Sequence, residues 1–215
     1  MIQLIRSGTI ISGSPGDVER LQSQFEKEHW IKFPRLLDRK LLNFIQPIIH
    51  QAVFYPTASQ GIGAELSMSQ NEALSLLYLL TNDPRLFQIV ERITDCGRIG
   101  CFTGRVYCMR PCPEHYDSWH SDMVQDRILA LSINLSREVY SGGVLQIRDR
   151  TSQEILSEVV NVGFGDAIVF RLSHALQHRI TNVEGKVSKT AFSGWFRSQP
   201  DFRSLFKQEA HSVAR

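Results

Sequence analysis

Apolar side chains recur at helical spacing through much of the first 95 residues. In "DVERLQSQFEKEHW", 17–30, Val18, Leu21 and Phe25 stand three and four apart, on one face of a helix. Asp38 precedes "RKLLNFIQPIIHQA" where a side-chain oxygen would cap the free N–H groups of a second helix, and Leu41, Phe44, Ile45, Ile48 and Ile49 form its apolar stripe. Pro47 removes one helical donor and is expected to restrict or kink that helix. "NEALSLLYLL", 71–80, reads as a third helix. "NDPRLFQIVERIT", 82–94, reads as a fourth, with Asp83 as cap, Pro84 in the first turn and Leu86, Ile89, Val90 and Ile93 facing inward. Between these, "IKFPRLL", 31–37, predicts a short edge strand. "TASQGIGAELSMSQ", 57–70, is polar and contains glycine; it reads as a flexible loop suited to act as a lid.

After residue 97 the period changes from helical to alternating. Short segments rich in Val, Ile, Phe and Tyr recur at 98–109, 118–123, 127–135, 143–148, 154–160, 166–171, 176–183 and 188–197. "SGG" at 141–143, "GFGD" at 163–166 and "NVEG" at 182–185 mark turns between them. Regularly spaced short strands predict a closed or double-sheet β fold such as a jelly roll, with the preceding helices packed on one sheet. The expected organisation is a single domain: residues 1–97 as a helical supporting segment and 98–215 as the β core.

Composition narrows the functional classes. The formal net charge is +2 and no dense Lys/Arg run occurs, so no nucleic-acid partner is expected. No apolar run reaches the roughly 18 residues of a membrane span, and the N-terminus lacks the basic-then-apolar order of a signal peptide. A cytoplasmic protein is expected. Cys96, Cys101, Cys108 and Cys112 lack the paired knuckle spacing of a structural zinc site and read as reduced thiols.

The candidate chemistry lies in "EHYDSWHSDMVQDR", 114–127, where His-x-Asp occurs twice, as His115/Asp117 and His120/Asp122. Two residues apart on a strand, a His and an Asp share one side. Two imidazoles and one carboxylate on one face leave coordination positions open, which is the arrangement of non-haem Fe(II) oxygenases. A further His is therefore needed, and His174 and His178 are both candidates.

The run "WHSD … RILALSINLS … SGGVLQIRD … GDAIVF … HRITNVEGKVSKTAFSGWF" resembles the core of the 2-oxoglutarate/Fe(II)-dependent dioxygenases, closest to their prolyl-hydroxylase-like branch. The likeness covers residues 98–198, and its specificity lies in the order of the pieces. It implies a double-stranded β-helix holding iron near one mouth. It implies His120 and Asp122 as the first two ligands, since Trp119-His120 matches the family context, whereas His115 sits in a Pro/Cys-rich loop. It implies His178 as the distal ligand, because His178-Arg179-Ile180 precedes a turn in the family manner. His174 remains the alternative.

The same resemblance implies a cation for the far carboxylate of 2-oxoglutarate. Lys189 stands six residues before Trp195, on the same side of a strand, while Lys186 has the opposite parity. Many relatives carry Ser or Thr two residues after the cation, but this chain has Ala191. A second donor is then expected from Asn134, Tyr107 or Thr190. Arg105, Arg110 and Trp119 are candidates for substrate contact or for structure.

The expected activity is an Fe(II)-, 2-oxoglutarate- and O₂-dependent oxygenase, with hydroxylation as the default outcome. The retained Asp122 argues against a halogenase. The substrate would be a small metabolite or a peptidyl residue, contacted from 57–70, 110–118 and the strand-connecting loops. Two rivals stay open: a cupin-like metal enzyme that does not use 2-oxoglutarate, which has no need of Lys189, and a non-catalytic β-barrel binding module.

Overall fold

The computed structural model describes residues 2–59, 62–124 and 126–200. In chain order the strands are β1 Ile2–Ile5, β2 Gly8–Ile11, β3 Trp30–Phe33, β4 Phe54–Ser59, β5 Gly63–Met68, β6 Cys101–Met109, β7 Tyr116–Asp117, β8 Arg127–Asn134, β9 Ser141–Gly142, β10 Leu145–Asp149, β11 Ile155–Val159, β12 Ala167–Arg171, β13 Leu176–Ile180, β14 Val183–Glu184 and β15 Lys189–Arg197. The helices are α1 Pro15–Glu28, α2 Arg39–His50, α3 Glu72–Thr81 and α4 Pro84–Thr94.

All four helices lie where their periodicity places them. Asp38 accepts the Leu41 and Lys40 N–H groups, Asn71 that of Leu74, and Asp83 that of Arg85, so the capping side chains set three of the four starts. α1 has the expected length but lies two residues earlier than the segment read as helical. His29 takes a left-handed conformation with its N–H on Phe25 O, and the chain turns directly into β3. Pro47 is accommodated inside α2, which continues to His50.

An eight-stranded antiparallel sheet runs β3-β12-β8-β15-β6-β5-β4, with β7 added beside β5. A three-stranded sheet, β11-β10-β13, faces it. Leu145, Ile147 and Val159 of the small sheet pack against Ala130, Ile168 and Phe170 of the large one. This is the curled, jelly-roll core expected of the β half.

The period of two assigns each central strand a double role. Leu129, Leu131 and Ile133 of β8, Val169 of β12 and Phe192 and Phe196 of β15 face the helices and join Leu41, Leu77 and Val90 in the main core. Their neighbours Ala130, Ser132, Ser193 and Trp195 line the space between the two sheets. α3 packs on the outer face of the large sheet, where β6 and β15 approach closely at Gly104 and Gly194. Tyr78 OH donates to Gly104 O, its ring meets Phe192 edge-on at 5.7 Å, and a Cβ on Gly194 would collide with the Thr103 backbone.

Three expectations need correction. Residues 57–70 are mostly not a loop: β4 and β5 form a hairpin, in register Thr57↔Glu65, that extends the large sheet. Its alternation is hidden because small and polar residues occupy both faces. The first 95 residues are less helical than their pattern suggests, since β1–β2, β3 and this hairpin all fall there. Residues 118–123 are not a strand; His120 makes one isolated bridge to His178. The other strand expectations hold within a few residues at their ends, except that 176–183 divides into β13 and β14. Among the described residues, no helix is long and apolar enough to cross a membrane.

Candidate functional site

His120 and Asp122 lie on the irregular segment between β7 and β8, and His178 lies at the centre of β13. The segment is stitched to β13 by two backbone hydrogen bonds, His120 N–H to His178 O at 3.1 Å and His178 N–H to His120 O at 2.9 Å. The pairing brings the two imidazole rings to 4.4 Å between centroids. Trp119 holds the same segment from outside, its ring stacked under the guanidinium groups of Arg148 (4.2 Å) and Arg179 (4.7 Å).

One nitrogen from each His and one oxygen of Asp122 lie within 4.8 Å of one another, which makes His120, Asp122 and His178 a cluster able to hold a metal ion. His120 Nδ1 is 2.7 Å from Ser118 O, so its N–H donates there and the Nε2 lone pair is left to the cluster. His178 Nε2 lies 3.3 Å from Asp122 Oδ2. Both carboxylate oxygens of Asp122 are also held from behind. Trp195 Nε1–H donates to Oδ2 at 2.7 Å, and Arg127 reaches Oδ1 at 3.3 Å while stacking 3.5 Å above the Trp195 ring. Burial opposes charge on Asp122, but hydrogen bonds from His120 and His178 hold its carboxyl well below the usual range. On His120, burial lowers the pKa, yet Asp122 and Asp117 together raise it to about 9. Two imidazoles and one ionised carboxylate on one cavity wall fit a metal with open positions.

The cavity has a volume of about 320 Å³ and contains the cluster and Lys189 together. Lys189 is 4% exposed and donates from Nζ to Gly143 O at 2.8 Å. Burial lowers its pKa to about 8, while Asp117 and Glu65 act in the opposite direction. Tyr107, Met109, Tyr140, Val183 and Ala191 form an apolar lining around this end. Lys186 is exposed in the turn before β15, outside the strand.

The three proposed supplements to Lys189 separate. Tyr107 lines the cavity and faces Ala191 across the strand register, with its phenol pushed well up by burial. Asn134 does not line it: Nδ2 donates to Gly163 O and Oδ1 accepts the Ser136 N–H, both at 3.0 Å. Thr190 follows Lys189 directly, so its side chain takes the opposite face of β15. His115 is also outside the cluster; its Nδ1 accepts the Arg110 N–H at 2.7 Å. His174 is exposed in the turn before β13. Asp117 accepts the Ile180 N–H at 2.7 Å and lies 3.4 Å from His120 Nδ1, behind the cluster.

Two cavity residues have no local sequence signal. Glu65 pairs with Arg105, forty positions away, and Asn161 presents a buried Oδ1 without a partner among the described residues. Both arise from strand and loop pairing that no short motif encodes.

Comparison with known proteins agrees with this geometry. Residues 105–197 match the family model described as the 2OG-Fe(II) oxygenase superfamily. Curated proteins return no match to the sequence. Among solved structures, a Pseudomonas putida prolyl-4-hydroxylase is similar with a TM-score of 0.63 at 16% identity, over 85% of this chain and 99% of that one. A Trichoplax adhaerens prolyl hydroxylase in complex with a hypoxia-inducible-factor peptide is similar at 0.57 and 14%, over 92% and 99%. The non-haem alpha-ketoglutarate-dependent epimerase of nogalamycin biosynthesis is similar at 0.62 and 12%, over 94% and 93%. The likeness to these structures establishes a shared fold, and the segment 105–197, which contains the His-Asp-His cluster and Lys189, is the part of the chain that is similar to the 2OG-Fe(II) oxygenase superfamily.

Proposed function

We propose that this chain is an Fe(II)- and 2-oxoglutarate-dependent oxygenase that hydroxylates a C–H bond of a small metabolite or peptidyl residue. The observation that carries this reading is one cavity holding both a His-Asp-His cluster and a buried lysine. A metal barrel that did not use 2-oxoglutarate would have no reason to bear the cost of burying Lys189.

In this reading His120, Asp122 and His178 hold the iron. When bound, the metal supplies the O₂ chemistry that converts 2-oxoglutarate to succinate and CO₂ and oxidises the substrate C–H bond. The chain's own groups orient the reactants. Ser118 O fixes the His120 tautomer, and Trp195 and Arg127 fix the Asp122 carboxylate. Lys189 meets the distal carboxylate of 2-oxoglutarate as a point charge. Tyr107 supplies the hydroxyl that Ala191 lacks, one strand away in the register. The apolar lining around Lys189 excludes water and strengthens that contact.

The remaining organisation fits one domain, with residues 1–97 supporting the 98–215 core. β3, β4 and β5 from the first part are strands of the same sheet as β6, β8, β12 and β15. A cytoplasmic location accords with the free thiols of Cys96, Cys108 and Cys112. The test is succinate release with Fe(II), O₂ and 2-oxoglutarate against panels of amino acids, metabolites and peptides. His120→Ala and Asp122→Ala should abolish the metal-dependent release, and retention of it in either variant would overturn the ligand assignment.

A further inference from the structure

The wall of the cavity opposite the small sheet carries an ion pair that neither iron nor 2-oxoglutarate requires. Arg105 on β6 donates from Nε to Glu65 Oε1 on β5 at 2.6 Å, and its Nη2 lies 2.5 Å from the same oxygen as an ion-pair contact. Both groups line the cavity. Because both contacts use Oε1, Glu65 Oε2 and Arg105 Nη1 have no hydrogen-bond partner among the described residues. Although it lies in the cavity wall, Arg105 keeps 42% of its side-chain surface open, against 16% for Glu65. Beside them, Thr57 stands directly across the β4–β5 register from Glu65, and its Oγ1 is buried without a partner. Ile62, Tyr116 and Val124 add exposed apolar surface to the lining of the same cavity.

A partly desolvated ion pair costs free energy unless its remaining hydrogen-bonding capacity is satisfied. The capacity left over here is an acceptor at Oε2 and the two N–H groups of Nη1. Their mutual charge is already neutralised, so the ligand that fits best is an uncharged group that carries both a donor and an acceptor. An amide is such a group: its N–H matches Glu65 Oε2 and its C=O matches Arg105 Nη1. A free carboxylate would face Glu65, and a free ammonium would face Arg105, each with one repulsive contact.

The geometry points to Glu65 and Arg105 as a recognition pair for an amide group of the primary substrate, with Ile62, Tyr116 and Val124 receiving its apolar part. This rests on the oxygenase reading above and specifies the substrate class at that site. The amide could be a peptide bond, a primary carboxamide or a lactam, which share the same chemistry.

The experiment is substrate-stimulated succinate release by the iron-loaded protein. The panel contains N-acetyl amino acid methylamides, primary carboxamides and lactams, each beside its matched ester or lactone, which lacks the N–H. An amide should stimulate release with an apparent affinity at least tens of fold better than its ester, because a site built to bond an N–H rejects the analogue without one. The three arms identify the source of the amide. Glu65→Gln and Arg105→Lys, with melting curves to establish folding, should each collapse the amide-to-ester ratio. Equal responses to amides and esters, a panel in which no amide exceeds the uncoupled rate, or an unchanged ratio in both folded variants would overturn the inference. Absence of any iron- and 2-oxoglutarate-dependent release, with or without compounds, would instead overturn the oxygenase reading.

Discussion

Replacing Lys189 by Met should stabilise the protein and, at the same time, remove its grip on 2-oxoglutarate. Burial lowers the lysine from 10.5 to about 8 in the folded chain. That fall corresponds to about 3 kcal/mol of penalty for carrying the charge inside. At pH 7 the side chain is protonated both folded and unfolded, so the penalty is fully present, and a neutral side chain of similar length removes it. Loss of the Lys189–Gly143 hydrogen bond returns about 1 kcal/mol. The net gain of about 2 kcal/mol should raise Tm by roughly 4–8 °C for a chain of this size. Binding moves in the opposite direction. Removing one partner of a buried, hydrogen-bonded charge pair costs about 2–5 kcal/mol. That is a roughly 30- to several-thousand-fold weaker titration with 2-oxoglutarate. Thermal melts without co-substrate and 2-oxoglutarate titrations at saturating Fe(II) measure the two arms. A lower Tm together with an unchanged titration would refute the role assigned to Lys189.

Other outcomes follow from the same site. 2-Oxoglutarate affinity should be level below pH 8 and fall about tenfold by pH 9, because above the lowered pKa of about 8 that Lys189 has before 2-oxoglutarate binds, binding must take up a proton; a flat profile to pH 9.5 would contradict this. Trp195→Phe keeps a ring under Arg127 but deletes the N–H on Asp122, and a metal titration should give about 10- to 100-fold weaker iron binding. His178→Ala should remove iron binding, while His174→Ala, at an exposed turn, should leave it intact and change stability by less than about 0.5 kcal/mol. His115→Ala should also keep iron, yet cost about 1–3 kcal/mol in denaturant melts, since it strands the Arg110 N–H.

The parts of this molecule legible in sequence are those whose cause is local. Asp38, Asn71 and Asp83 cap helices a few residues away, so α2, α3 and α4 could be placed with their starts. Lys189 and Trp195 share a strand face by parity alone, and the cavity contains both. β1–β2 also had a readable signal, Ile2 and Leu4 alternating before Ser7-Gly8, that the helical pattern around it obscured. What was hidden depends on pairing between distant segments. β4 and β5 carry Pro56, Gly63 and small residues, and become strands because they extend the edge beside β6. His120 imitates strand alternation, yet its position comes from a single bridge to His178. Asn134 faces the interior by parity, but the loop at Gly163 claims its amide. The Glu65–Arg105 pair joins residues that only the sheet brings together.

The two-faced strands have a consequence for how this protein can change. On β15, Phe192 and Phe196 are fully buried on the helix side, while Lys189, Ser193 and Trp195 look into the cavity. On β8, Leu129, Leu131 and Ile133 stand in the same relation to Ala130 and Ser132. Free energy of folding is concentrated in one set of positions and the shape of the reaction chamber in the other. Alternate residues of one strand are therefore inherited under different constraints. Substitutions at Ala130, Ser132 or Ser193 alter the volume offered to a substrate and leave the Phe192–Phe102–Phe196 aromatic cluster untouched. A lineage can thus explore new substrates through every second residue, without first acquiring the surplus stability that such exploration demands when one set of side chains must serve both ends.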